Sequence, residues 1–158
     1  MATDEKPNIG FIGLGRMGMT KAKHVIGAGY TVFGFDINDK AMEAATIAGV
    51  ITLSSALEVA ASSGIIIVIV PTDDDVKQTI KFAKEIDADY YSLSILAPYY
   101  GTKVYYDMID EGFELDKKPW EYFFHQTGEL MVNNNISEEV LKEYLSLNEL
   151  NSNRKGYV

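Results

Sequence analysis

Ile9-Gly10-Phe11-Ile12-Gly13-Leu14-Gly15-Arg16-Met17-Gly18 decides how the whole chain is read. An apolar run empties into three glycines spaced two and three apart, and a helical pattern follows at once. Small or apolar residues recur at Gly18, Ala22, Val25 and Ala28 before Gly29. Three-to-four spacing of that kind predicts one buried helical face, so a strand from Asn8 to Ile12, a sharp turn and a helix from Arg16 to Ala28 are expected. Tyr30 to Phe35 carries a second strand pattern, with Asp36 at its carboxyl end.

Glycines at these spacings match what a diphosphate requires: backbone N–H donors, a helix N-terminus aimed at it and no side chain between. Gly13 permits the tight turn, Gly15 lets the backbone approach the phosphates, and Gly18 lets the helix sit close to the sheet. Asp36 stands eighteen residues after Gly18, where a carboxylate accepts from both hydroxyls of an adenosine ribose and repels a 2′-phosphate. The expectation is a dinucleotide-binding βαβ unit of the Rossmann type that prefers NAD over NADP. The bland alternative is that the glycines serve backbone geometry alone.

Downstream, Asp39 to Ala48 reads as a helix stopped by Gly49, and Val50 to Leu53 as a short strand. Ser55 with Glu58 makes a capping box for a helix through Ala61. Ile65 to Val70, bounded by Gly64 and Pro71, is expected to be a central parallel strand buried on both faces. Thr72 is a suitable N-cap, and Asp73 to Asp75 complement the positive end of a helix to about Ile86. Tyr90 to Leu96 is the predicted fifth strand. A loop at Pro98 to Thr102, a helix to about Glu111, a loop through Pro119, an aromatic-rich segment from Trp120 to Val132 and a last helix from Ser137 to Leu150 complete the chain. The alternation predicts a single α/β domain over 1–158, doubly wound, with five parallel strands in the order 3-2-1-4-5 and a C-terminal helical tail packed on the sheet.

Composition narrows the function classes. A net charge of −9 argues against nucleic acid and anionic membranes as partners. The absence of cysteine removes thiol nucleophiles, thiolate zinc and cysteine-ligated iron-sulfur clusters. Neither His24 nor His125 has a second histidine at helical spacing, so no metal site is expected. The polar opening residues and the short apolar runs point to a cytoplasmic protein. Asp73 to Asp75 are read as capping partners in preference to a cation site, and Trp120, Tyr122, Phe123 and Phe124 as packing for the tail. His125, Lys103, Lys117 and Lys118 carry no motif.

The run Ile9 to Gly18, then Gly29-Tyr30-Thr31-Val32, Phe35-Asp36-Ile37-Asn38, Ser55, Glu58-Val59-Ala60 and Val70-Pro71-Thr72, resembles the cofactor domain of the β-hydroxyacid dehydrogenases, the family of 3-hydroxyisobutyrate dehydrogenase, over about Pro7 to Asp75. The resemblance implies that Leu14, Arg16 and Met17 line the pyrophosphate and nicotinamide side, with Pro71 and Thr72 near the cofactor's other edge. Two departures stand out. Lys21 and His24 replace the usual Met and Asn on the first helix, and the family's substrate-binding segment and catalytic lysine have no counterpart.

From about Val76 the chain resembles a second family. Thr79-Ile80-Lys81-Phe82-Ala83-Lys84-Glu85, Ser94-Ile95-Leu96-Ala97 and Pro98-Tyr99-Tyr100-Gly101-Thr102 are similar to the C-terminal part of cobalamin-binding radical S-adenosylmethionine enzymes, with Tyr100 replacing a proline. That family's chemistry needs three cluster-ligating cysteines, and this chain has none. Nine of the ten tyrosines lie at or after Tyr90 and nine of the thirteen glycines before Ile65, which suits two origins meeting near Asp75. The resulting expectation is an NAD(H)-binding chimera without turnover, of open oligomeric state. Its alternatives are a ligand-free scaffold and an oxidoreductase completed by a partner subunit.

Overall fold

In the computed structural model, which describes residues 6–70, 72–92, 94, 98–119 and 137–147, strands and helices alternate from the start. They are β1 (Ile9–Ile12), α1 (Arg16–Gly27), β2 (Val32–Phe35), α2 (Asp39–Ile47), β3 (Ile51–Thr52), α3 (Ala56–Ser62), β4 (Ile65–Val68) and α4 (Asp73–Ile86). Then come α5 (Lys103–Asp110), a 3-10 turn at Leu115–Lys117 and α6 (Glu138–Ser146). The strands form one parallel sheet in the order β3-β2-β1-β4, a Rossmann-like α/β arrangement. The described residues fall into two compact units: one runs up to residue 70 and includes Lys84–Ile86, and the other holds Thr72–Ala83 and the described residues from Asp87 onward.

The first unit is built around β1. Phe11, Val32, Leu14, Ala22, Ala45 and Val50 are buried together, and burial of a side chain the size of Phe11 stabilises the fold by about 1.5–3 kcal/mol. Gly10 lets α3 lie close on the strand, because a Cβ there would stand 2.6 Å from Val59 Cγ1. The capping box of α3 forms with a shift: Ser55 Oγ accepts from Glu58 N at 3.2 Å, but the Glu58 carboxylate accepts from Ser54 N and Oγ, one residue upstream. Asn38 opens α2 by accepting from Lys40 N at 2.9 Å and Ala41 N at 3.3 Å. Asn38→Ala should therefore lower the denaturant midpoint by an amount worth about 1 kcal/mol without changing the slope.

The expected fifth strand is corrected to none among the described residues. Tyr90, Tyr91, Ser92 and Ser94 are not in a strand, and Leu93, Ile95 and Leu96 lie outside the described residues. Here a side-chain hydrogen bond prevails over strand propensity. Asp87 closes α4 in the left-handed region at φ 45°, and the buried Tyr91 hydroxyl donates to Ala83 O at 2.6 Å while accepting from Ala88 N at 3.1 Å. Tyr91 is thus tied back to the end of α4. Among the described strands β4 is an outer one and Ile65 is 50% exposed, so burial on both faces does not hold.

Within the second unit, Thr72 caps α4, Thr102 caps α5 and Ser137 caps α6, each hydroxyl accepting from a backbone amide three residues on. Tyr105, Met108 and Leu115 cluster where α5 meets the 3-10 turn, and Tyr100 packs edge-on against Tyr105. Trp120 to Val132 and the last residues of the predicted final helix lie outside the described residues. Burial raises the Tyr144 phenol above its ordinary value, and a hydrogen bond with the Ser94 backbone partly offsets this. A phenol raised on folding contributes stability that is present below its unfolded value of about 10 and lost as pH rises through its folded value. As pH rises above about 10, Tyr144→Phe should lose less stability than wild type in pH-dependent unfolding. No described helix is long and apolar enough to cross a membrane.

Candidate functional site

The three glycines after β1 do three different things. Gly13 adopts φ +91° and donates its N–H to Phe35 O at 2.9 Å, and a Cβ there would stand 2.1 Å from Ile69 O. Gly18 begins the buried face of α1, where a Cβ would stand 2.0 Å from Gly13 O, so the helix presses on the turn itself. Around Gly15 a Cβ would meet nothing within 4 Å. That open side lies at the start of the helix.

Among the described α-helices, five open on a side chain that accepts from the first turn: Asn38, Ser55, Thr72, Thr102 and Ser137. In α1 the cap is Gly15, with no side-chain bond and no acidic residue in the first turn. The first intrahelical bond runs from Met19 N to Gly15 O at 2.9 Å, so the amides of Arg16, Met17 and Gly18 have no acceptor within the helix. Arg16 and Met17 are exposed. An uncapped helix start beside open space, with a cation and no acid, is an anion-accepting arrangement.

Asp36, at the end of β2, reaches the same turn. Its Oδ2 accepts from Leu14 N at 2.6 Å and its Oδ1 from Asn38 N at 2.8 Å. A carboxylate offers about four lone-pair sites, so each oxygen keeps one for a further donor. The structure therefore brings Gly13, Leu14, Gly15, Arg16, Met17, Gly18 and Asp36 together on one edge of the first unit.

Thr72 belongs to the second unit, where its hydroxyl donates to Asp75 Oδ2 at 2.6 Å and caps α4; Pro71 lies outside the described residues. Asp73 accepts from Ser137 N at 2.6 Å and Asp74 lies 3.9 Å from Lys77 Nζ. No group of three metal-ligating side chains occurs among the described residues. Lys21 and His24, which depart from the dehydrogenase pattern, are exposed on α1. One residue, Ile37, is part of the stretch that carries the resemblance but has no role assigned from sequence. Ile37, next to Asp36, is 84% exposed, and the only signal for it was an isoleucine set in an otherwise polar Asp36-Ile37-Asn38-Asp39 turn.

Comparison with known proteins adds the following. The family described as the NAD binding domain of 6-phosphogluconate dehydrogenase matches residues 8–95. A probable mitochondrial 3-hydroxyisobutyrate dehydrogenase of Arabidopsis thaliana is 41% identical over 69 residues, 44% of this chain and 20% of that protein. A probable 3-hydroxyisobutyrate dehydrogenase of Mycobacterium tuberculosis is 37% identical over 70 residues, 44% of this chain and 24% of that protein. The chain thus spans between a fifth and a quarter of the length of these curated relatives. Among solved structures, Mycobacterium tuberculosis 3-hydroxyisobutyrate dehydrogenase with L-serine is similar at a TM-score of 0.47 and 32% identity, covering 54% of this chain and 28% of the other. An imine reductase variant of Myxococcus stipitatus in complex with NAD+ gives a TM-score of 0.44 and 29% identity, covering 48% and 25%.

Proposed function

Because this chain belongs to the family of the NAD binding domain of 6-phosphogluconate dehydrogenase, we propose that it binds NAD(H) through Gly13, Leu14, Gly15, Arg16, Met17 and Gly18 and the Asp36 carboxylate. The observation that carries the proposal is the start of α1, where no side chain caps the helix, the first amides have no acceptor within it and the cap residue Gly15 borders open space. A diphosphate there accepts from those amides and lies at the positive end of the helix. The lone pair left on each Asp36 oxygen suits the two hydroxyls of an adenosine ribose, and its charge opposes a 2′-phosphate. NAD is thereby preferred over NADP. Ile37 offers an apolar ledge beside the ribose for the adenine ring.

Binding without turnover is proposed for this chain alone. The nicotinamide carries the hydride chemistry, and what these residues contribute is grip and orientation. The dehydrogenase resemblance finds no counterpart for the family's catalytic lysine or substrate segment, so NAD reduction with simple β-hydroxy acids is expected to be absent. We also read the chain as composite, a dehydrogenase-like cofactor piece joined to a piece similar to cobalamin-binding radical enzymes. What supports that reading is the shift from glycine to tyrosine along the chain, nine of the thirteen glycines lying before Ile65 and nine of the ten tyrosines at or after Tyr90. A single natural gene encoding both parts contiguously would contradict it.

Thermal unfolding tests the binding. Ligand at about 100 times its Kd adds about 2.7 kcal/mol, so saturating NADH should raise the Tm by roughly 5–10 °C, and NADPH by less. An unchanged Tm would instead mark a scaffold without ligand.

A further inference from the structure

The turn after β1 is joined to the end of β2 at two successive amides. Gly13 N donates to the Phe35 carbonyl at 2.9 Å, and Leu14 N donates to Asp36 Oδ2 at 2.6 Å. Only the second of these depends on a side chain. Leu14 is fixed from its other end too: its side chain is 2% exposed, and its methyl carbons lie 3.0 and 3.3 Å from where a Cβ on Gly34 would stand. The chain therefore leaves Leu14 toward Gly15, Arg16 and Met17 in a direction set by β2. Asp36 is itself held by Asn38 N at 2.8 Å, and Asn38 in turn caps α2.

We infer that Asp36 is a positioning residue for the diphosphate-binding turn, so that affinity for the phosphates depends on a carboxylate that does not touch them. The inference rests on the dinucleotide reading above and adds a second role to the ribose contact. The two roles separate by sign. A carboxylate that merely stands near an anion site repels the anion, and its removal strengthens phosphate binding. Removal of a carboxylate that holds the turn releases Leu14 N, lets the amides of the first helical turn diverge and weakens phosphate binding.

The experiment titrates nitrogen-15-labelled wild type, Asp36→Ala and Asp36→Asn with metal-free inorganic pyrophosphate and, separately, with NADH, following amide resonances. Asp36→Ala is expected to bind pyrophosphate roughly five- to tenfold more weakly than wild type, with the Leu14 amide resonance displaced before any ligand is added. Asp36→Asn keeps an acceptor for Leu14 N and should restore pyrophosphate affinity to the wild-type level or beyond, while NADH affinity falls in both variants. Should alanine prevent folding, Asp36→Leu, similar in shape and lacking an acceptor, takes its place with the same expectation. Pyrophosphate affinity at or above wild type in the variant without an acceptor overturns the positioning role and leaves the dinucleotide reading standing. Failure of Asn to restore what Ala removes overturns it as well. A wild-type chain that answers to neither NADH nor pyrophosphate overturns the dinucleotide reading and, with it, any positioning of phosphate.

Discussion

Gly13→Ala is expected to lose about 2–5 kcal/mol of stability, a large share of the ~5–15 kcal/mol usual for a whole chain. Two costs add. A left-handed backbone at φ +91° penalises any Cβ by about 1–2 kcal/mol. The new methyl would also stand 2.1 Å from the Ile69 carbonyl oxygen, which is main chain and cannot rotate aside as a side chain would. Moving it strains the bond from Ile69 N to Ile12 O, 2.9 Å long, that extends the pairing of β1 with β4. Relieving such overpacking typically costs about 1–3 kcal/mol more. Urea unfolding followed by circular dichroism reads the loss directly. A midpoint equal to that of wild type would show that the turn does not have the geometry described.

Gly15→Ala is expected to do the opposite. Its backbone, at φ −63° and ψ −170°, is open to any residue, and a Cβ there meets nothing within 4 Å. The stability cost should stay below about 1 kcal/mol, the difference between glycine and alanine at a helix N-cap. The same methyl would occupy the space through which a diphosphate reaches the amides of Arg16 and Met17. NADH affinity should fall by roughly a hundredfold, equivalent to about 2.7 kcal/mol. Fluorescence titration measures the affinity and thermal unfolding checks the fold. Retained affinity in a folded variant would mean that the phosphates approach elsewhere. On this account the two glycines divide the labour, Gly13 serving the backbone and Gly15 the proposed ligand.

Much of this was legible in the residues, for physical reasons that differ from case to case. Glycine spacing exposes a turn because few other residues tolerate φ +91° at Gly13 or a main-chain contact at Gly18. The caps at Asn38, Ser55, Thr72, Thr102 and Ser137 show because a short oxygen-bearing side chain before an amphipathic run has few other uses. Local signals of this kind need no knowledge of distant partners. The segment at Tyr90 to Leu96 failed for the converse reason. Its strand propensity is real, but the Tyr91 hydroxyl finds the Ala83 carbonyl across a left-handed residue at Asp87, and no spacing rule announces that meeting. Asp36 is proposed as a ribose acceptor from its place after β2. Its bond to Leu14 N joins residues twenty-two apart and emerges only once β1 and β2 lie side by side. Ile37 carried no period at all, and its exposure beside that carboxylate shows only in the folded chain.

The amides at the start of α1 offer the most direct test of the central claim. In a nitrogen-15 correlation spectrum of the whole chain titrated with NADH, the resonances of Gly15, Arg16, Met17 and Gly18 should shift most and saturate together. Those of α5 and α6 should stay in place. Saturation of NADH binding with the four amides unmoved, or no binding at all, would contradict the account.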